Sequence, residues 1–94
     1  MPKVIVKYLS FFREMAGKEK EEFSLPEEAT VKTLLDELTK KYGDSWKELV
    51  DPDKPPEEGL LITVNSSLLK LPADLELKLR DGDQVIIGFP PFGG

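Results

Sequence analysis

Only one stretch of this chain carries a sustained helical stripe, and it lies between runs that read as strands. Val31, Leu34, Leu35, Leu38 and Tyr42 recur at i, i+3, i+4, i+7 and i+11, one face of a 3.6-residue period. Thr30 stands at the N-cap position, where its hydroxyl can accept from an early backbone N–H. Lys40 and Lys41 fall in the last turn, where the helix dipole favours cations, and Gly43 fits a C-terminal stop. A helix of this kind cannot bury its own stripe. With 94 residues there is room for one core only, so the stripe must lie across a sheet built from the remaining segments.

Those segments are legible by alternation. Lys3 to Leu9 is rich in β-branched residues, with Val4, Val6 and Tyr8 on one face and Ile5, Lys7 and Leu9 on the other. Phe11 to Ala16 predicts a short helical turn stopped by Gly17. Glu21 to Leu25 reads as a second strand, with Phe23 and Leu25 inward and Pro26 ending it. Beyond the main helix, Ser45 is expected to cap a shorter one carrying Trp46, Leu49 and Val50, with Trp46 filling the core. Asp51 to Gly59 holds three prolines and mixed charge and reads as a surface loop. Leu60 to Asn65 is a strand, Ser66-Ser67 a turn, and Leu68 to Leu71 a short strand. A looser segment around Leu75, Leu77 and Leu79 leads to Arg80-Asp81-Gly82-Asp83, a turn in which Gly82 can take φ > 0. Gln84 to Phe89 is the last strand, with Val85, Ile87 and Phe89 on one face. The order implies an α+β domain over residues 1–89, a mixed sheet with one main helix across one face. In such a layout the first and last strands can lie side by side at the sheet centre.

Composition narrows the chemistry. The chain has no cysteine and no histidine. A thiolate nucleophile, a disulfide, an iron–sulfur cluster and the usual near-neutral general base are therefore excluded, and no metal site is expected. Eighteen acidic against thirteen basic side chains leave a formal charge of −5, a poor balance for holding nucleic-acid phosphates but one suited to a basic partner or a cationic active site. No apolar run approaches the roughly 20 residues of a membrane span. The N-terminus lacks a signal-peptide core, so cytoplasm is the expected location. Glu19-Lys20-Glu21-Glu22 and Glu57-Glu58 read as solvated faces, Asp81 and Asp83 as turn residues, and Arg13 as half of a helix-surface ion pair. A stand-alone enzyme is not expected. The groups left to handle reactive chemistry include the chain's own C-terminus.

That terminus is distinctive. Residues 90–94, Pro90-Pro91-Phe92-Gly93-Gly94, follow the last strand and cannot extend it, because two prolines remove two ladder donors and favour a stiff, extended path. Gly93 and Gly94 bear no Cβ, so the end can enter a narrow channel where a side chain would collide. Fully extended, the five residues reach roughly 17 Å at about 3.4 Å each. A carboxylate becomes an electrophile once adenylation with ATP turns an oxygen into a leaving group. A sulfur donor can then give a thiocarboxylate, or an amine an amide, with another protein as catalyst in either case. Phe89 reads as core and Phe92 as an anchor inside a partner's channel. Ile5, Lys7, Leu9 and Ile86 share the sheet face opposite the helix and form a modest apolar patch for docking.

Phe89-Pro90-Pro91-Phe92-Gly93-Gly94 behind Asp81-Gly82-Asp83-Gln84-Val85 resembles the end of the MoaD/ThiS-type sulfur carriers. Arg13-Glu14-Met15-Ala16-Gly17 after the first strand, Thr30-Val31 opening the helix, and Val64-Asn65 ending the third strand fit the same pattern. The resemblance covers essentially the whole chain and is nearest to the molybdopterin synthase small subunit. It implies a β-grasp, ubiquitin-like fold and a carrier that binds no cofactor. A ubiquitin-activating-like enzyme would use ATP to adenylate Gly94, a sulfur donor protein would supply the thiocarboxylate sulfur, and the large synthase subunit would receive the tail. The sulfur would then pass to the pterin precursor of molybdopterin. Only Phe92 separates Pro-Pro from Gly-Gly, where family tails often carry two residues. That departure leaves room for a ubiquitin-like modifier joined to lysines through Gly94; a carrier for thiazole or tRNA thiolation is a further alternative that the residues do not separate.

Overall fold

The computed structural model describes residues 1–49 and 60–89. The expected loop Asp51 to Gly59, Val50 and the tail 90–94 lie outside the described residues. The chain runs β1 (Lys3–Tyr8), α1 (Ser10–Ala16), β2 (Lys20–Ser24), α2 (Val31–Tyr42), α3 (Asp44–Leu49), β3 (Leu61–Val64), β4 (Ser67–Leu68), one 3-10 turn (Ala73–Glu76) and β5 (Gln84–Gly88). Five strands form one sheet in the order β2-β1-β5-β3-β4. The first and last strands lie side by side and parallel, with Val6 opposite Val85 and Tyr8 opposite Ile87; every other pairing is antiparallel.

The alternation read along β1 sorts the two faces. Val4, Val6 and Tyr8 are fully buried and meet Val85 and Ile87 of β5, Ile62 of β3, and Val31, Leu34, Leu35 and Leu38 of α2. Thr30 caps α2 in a reciprocal box with Thr33, each side chain serving the other's backbone N–H, which satisfies two of the donors a helix start leaves open. The helix ends at Gly43, with φ at 87°. Gly17 ends α1 in the left-handed conformation. The 3-10 turn is tied to the start of α2, because the Val31 N–H donates to the Leu77 carbonyl and Leu79 N–H to that of Ala29.

Several boundaries differ from the sequence reading. The Asp44 backbone already belongs to α3, and the Gly43 carbonyl accepts from the Trp46 and Lys47 N–H groups, so Ser45 is inside the helix and is not its cap. The β3–β4 loop turns at Asn65 and Ser66, both with positive φ, one residue earlier than expected, and β4 is only Ser67–Leu68. Leu69 still donates its N–H to the Ile62 carbonyl at 2.9 Å, and the Leu69 and Leu71 side chains pack against the core. Trp46 is 1% exposed and fills the core as its size suggests.

The largest correction concerns the acidic run at 19–22. Glu21 is not on a solvated face. Its side chain is 7% exposed and turns inward between β2 and α2. One carboxylate oxygen accepts from the phenols of Tyr8 at 2.7 Å and Tyr42 at 2.6 Å. The other accepts from the ammonium groups of Lys18 and Lys41. The register explains the placement: Glu21 is opposite Val6, so it shares the inner face with Phe23. The ion pair expected of Arg13 is not found among the described residues.

Candidate functional site

Phe89 is the last described residue, and what holds it decides where residue 90 starts. The parallel pairing of β1 and β5 continues past both strands, since the Leu9 N–H donates to the Ile87 carbonyl at 3.0 Å. The chain then turns at Ser10, whose φ of 47° is a left-handed conformation that costs an L-residue about 1 kcal/mol. That turn starts α1 and folds it back over the end of β5. On the outer face, the Leu9 side chain covers Gly88. A Cβ on Gly88 would stand 3.1 Å from the Leu9 Cβ and 3.2 Å from its Cδ1, so any larger residue there would require Leu9 to give by a few tenths of an ångström. On the inner face, the ring of Phe12 stacks on Phe89 with centroids 4.7 Å apart. Phe12 is fully buried and is backed by Trp46 at 5.0 Å.

The expected docking residues come together on the outer face. Ile5, Lys7 and Ile86 line a shallow groove of about 290 Å³ with Glu19, Lys20, Gln84 and the Val85 backbone strand beside them. The register sets Lys20 beside Lys7, Lys7 beside Ile86, Ile86 beside Thr63 and Thr63 beside Leu68. One cross-strand row therefore runs from two ammonium groups to an aliphatic end, where Leu68 is 65% exposed. Lys7 is loosely paired with Glu19 at 4.0 Å. Leu9, the fourth expected docking residue, lies at the end of this face over Gly88 rather than in the groove. Pro90, Pro91, Phe92, Gly93 and Gly94 are outside the described residues.

Titration behaviour is concentrated at Glu21, on the opposite side of the sheet. Burial works against its ionised form, but hydrogen bonds from Lys41, Tyr42, Tyr8 and Lys18 outweigh it and hold the carboxyl at about 2. Burial and the Glu21 carboxylate push the Tyr42 phenol up to about 12 and raise Tyr8 further still. These are the signs of a structural lock: a carboxylate held ionised and two phenols held protonated at any ordinary pH. Among the described residues no three His, Cys, Asp or Glu side chains gather as a metal site, and no helix is long and apolar enough to cross a membrane.

Gly88, Phe12 and Glu21 escaped the sequence reading. Gly88 carried a signal, because a glycine inside a strand run marks close backbone approach. Phe12 carried none beyond its place in an apolar pair with Phe11, since a helix of two turns does not say which ring faces inward. Glu21 sits in a run of four charged residues, which reads as solvated, although alternation back from Phe23 and Leu25 places it on the inward face of β2.

The profile of the ThiS family matches residues 6–94. No curated protein matches the chain. Among solved structures, a protein of Pyrococcus furiosus described as molybdopterin converting factor, subunit 1, is 35% identical. It superposes with a TM-score of 0.80 over 98% of this chain and 100% of its own. The small archaeal modifier protein 1 (SAMP1) of Methanosarcina acetivorans is 28% identical, with a TM-score of 0.72 over 100% of this chain and 97% of its own. SAMP1 of Haloferax volcanii shares the fold at 20% identity, with a TM-score of 0.73 over 98% of each chain. A β-grasp sheet with a parallel central pair, one long helix across it and a family match that runs through Gly93-Gly94 leave one assignment: the chain belongs to the ThiS family, the ubiquitin-like sulfur carriers of ThiS/MoaD type.

Proposed function

We propose that this chain carries sulfur on the carboxylate of Gly94 and donates it in molybdopterin biosynthesis as the small subunit of the synthase. One observation carries the reading: the family match extends to residue 94, so it includes the Gly-Gly end rather than the folded body alone. The 35% identity to a molybdopterin converting factor subunit over the whole chain favours the pterin route over other sulfur acceptors. The Gly94 carboxylate attacks ATP in an adenylating enzyme and releases pyrophosphate. A sulfur nucleophile attacks the acyl carbon, AMP leaves, and the thiocarboxylate remains. Residues 1–89 are the folded carrier and 90–94 the arm that enters the partner. Ile5, Lys7, Leu9 and Ile86 offer the adenylating enzyme and the large synthase subunit an apolar contact with a cationic rim, while Phe92 anchors the arm inside the channel. The carrier itself holds no cofactor; ATP belongs to the adenylating enzyme.

Intact mass after incubation with ATP, sulfide and the adenylating enzyme tests this. The expected shift is one oxygen replaced by one sulfur, localised to Gly94. Addition of the large synthase subunit and pterin precursor should then return the carboxylate. Likeness to SAMP1 of Methanosarcina acetivorans favours a second reading, an isopeptide between Gly94 and lysines of other proteins. No Lys or Arg follows Arg80, so trypsin would leave Asp81 to Gly94 on the acceptor lysine, and a search for that long remnant separates the two products.

A further inference from the structure

The end of β5 is gripped from both faces by one corner of the chain. Leu9 lies over Gly88 on the outer face, and Phe12 stacks on Phe89 on the inner face. Both come from the β1–α1 turn, three residues apart in sequence, and the Phe12 N–H donates to the Leu9 carbonyl at 3.0 Å, which makes the corner one unit. The corner is in turn fixed to β5 by the Leu9 N–H and to the core by Trp46 behind Phe12.

We propose that Phe12, together with the Leu9–Gly88 contact, is a positioning residue for the chemistry at Gly94: it fixes the point and direction from which the five-residue tail leaves the body. This rests on the sulfur-carrier reading above. Phe12 is fully buried and touches no reacting atom, so its influence acts through Phe89. A tail with a fixed root samples a small volume around its partner's channel. A tail whose root swings samples a larger one, and the effective concentration of its carboxylate in the channel falls. The groove of Ile5, Lys7 and Ile86 does not include Phe12, whereas Leu9 belongs both to the docking face and to the corner, so Phe12 is the residue that separates tail delivery from body docking.

The test uses the full chain as Phe12→Leu, which keeps apolar volume but removes the stacked ring, and as Gly88→Ala, which drives a Cβ against Leu9 from the other face. Two readouts are taken: the 15N relaxation of the Phe89 amide, and the kcat and KM of carrier-dependent ATP–pyrophosphate exchange by the adenylating enzyme. Trp46 emission checks that each variant is folded. In both variants the Phe89 amide should become more mobile and kcat should fall about fivefold. In Phe12→Leu KM should stay within about twofold, the signature of a lost orientation and not of lost docking, while Gly88→Ala, which also displaces Leu9 on the docking face, should raise KM as well. A Phe89 amide as rigid as in the unaltered chain overturns the proposal. So does a loosened amide with unchanged kcat, which would mark Phe12 as core filling alone, and so does a change confined to KM. If the unaltered chain supports no exchange, the sulfur-carrier reading itself fails and takes the positioning role with it. If it reacts and both variants react equally fast, only the positioning role fails.

Discussion

The β2 edge of the sheet is held to the main helix by charge and hydrogen bonds, whereas the end of β5 is held to the β1–α1 corner by rings and methyl groups. At the first site a single carboxylate, Glu21, collects two phenols and two ammonium groups. At the second, Leu9 over Gly88 and Phe12 against Phe89 involve no side-chain polar atom. The polar tie is directional and fails if the carboxylate is removed, because the two phenols are then left without an acceptor inside the protein. The apolar tie is indifferent to pH and yields by loosening. A continuous path of rings joins them: Tyr8 and Tyr42 both touch Trp46, Trp46 touches Phe12, and Phe12 touches Phe89. The difference assigns them separate work, stability to the first and tail placement to the second, and the ring path poses the question of whether they are coupled.

Removing the hub should have the largest effect. Glu21→Ala leaves the Tyr8 and Tyr42 hydroxyls without their acceptor inside the protein and is expected to cost about 3 kcal/mol, read as a lower midpoint in urea with Trp46 emission as the probe. The Phe89 amide should keep its relaxation in the same variant. A mobile Phe89 would show that the ring path transmits the loss and that the two ties are one. Acid reaches the same hub more gently. The Glu21 carboxyl is depressed to about 2 from an ordinary value of 4.5, so its contribution is complete above about pH 5 and disappears as pH falls toward 2. Because solvent reaches the Lys18 and Lys41 rim, the loss over that window should be about 1–2 kcal/mol. Glu21→Gln should flatten this part of the stability curve; an acid transition unchanged by the substitution would place the responsible carboxyl elsewhere.

The two ties were unequally readable in the sequence. Alternation along Lys3 to Leu9 and the stripe from Val31 to Tyr42 placed the central strands and the helix, because period and burial are the same fact there. Phe89 was readable as inward for the same reason. Glu21 was readable only in part: alternation back from Phe23 and Leu25 puts it on the inner face, but the partners that make a carboxylate tolerable there, Tyr8, Tyr42, Lys18 and Lys41, are brought together only by the fold. The β1–α1 corner was half readable: the short helix and its Gly17 stop were visible, but the left-handed Ser10 that folds it back over β5 follows from tertiary packing, not from any turn preference of serine. The tail motif was the most informative part of the sequence for chemistry and contributes nothing to the core. Local pattern and family resemblance thus supplied different halves of the reading.

A finer cut separates the phenols from the carboxylate. Tyr42→Phe keeps the ring stacked on Trp46 at 4.9 Å and removes only the 2.6 Å donation to Glu21. The expected cost is about 1 kcal/mol, and the Glu21 carboxyl should rise from about 2 toward its ordinary value, which carbonyl NMR titration reads directly. The acid transition should then begin at higher pH than in the unaltered chain. A loss of stability without any movement of the carboxyl would mean that Lys41 and Lys18 hold Glu21 alone.

The smallest effect lies outside both ties and serves as their control. Asn65 and Ser66 take φ of 50° and 73° in succession, the backbone of the two-residue hairpin loop that prefers Asn-Gly. Asn65 suits its position and works there as well: its amide donates to Asp83 and accepts from the Gln84 N–H, both at 2.9 Å, which pins the β3–β4 hairpin to the start of β5. Ser66 suits its position poorly, since its Cβ crowds a left-handed backbone. Ser66→Gly should therefore stabilise the chain by about 0.5 kcal/mol, the relief of strain being partly offset by the greater freedom of glycine in the unfolded chain. The hairpin shares no contact with Glu21 or Phe12, so the gain should add to the Tyr42→Phe loss within about 0.3 kcal/mol. A larger departure would mean that strain at the β3–β4 loop travels along β5 to the aromatic path, and the division of labour between the two ties would have to be redrawn to include the far edge of the sheet.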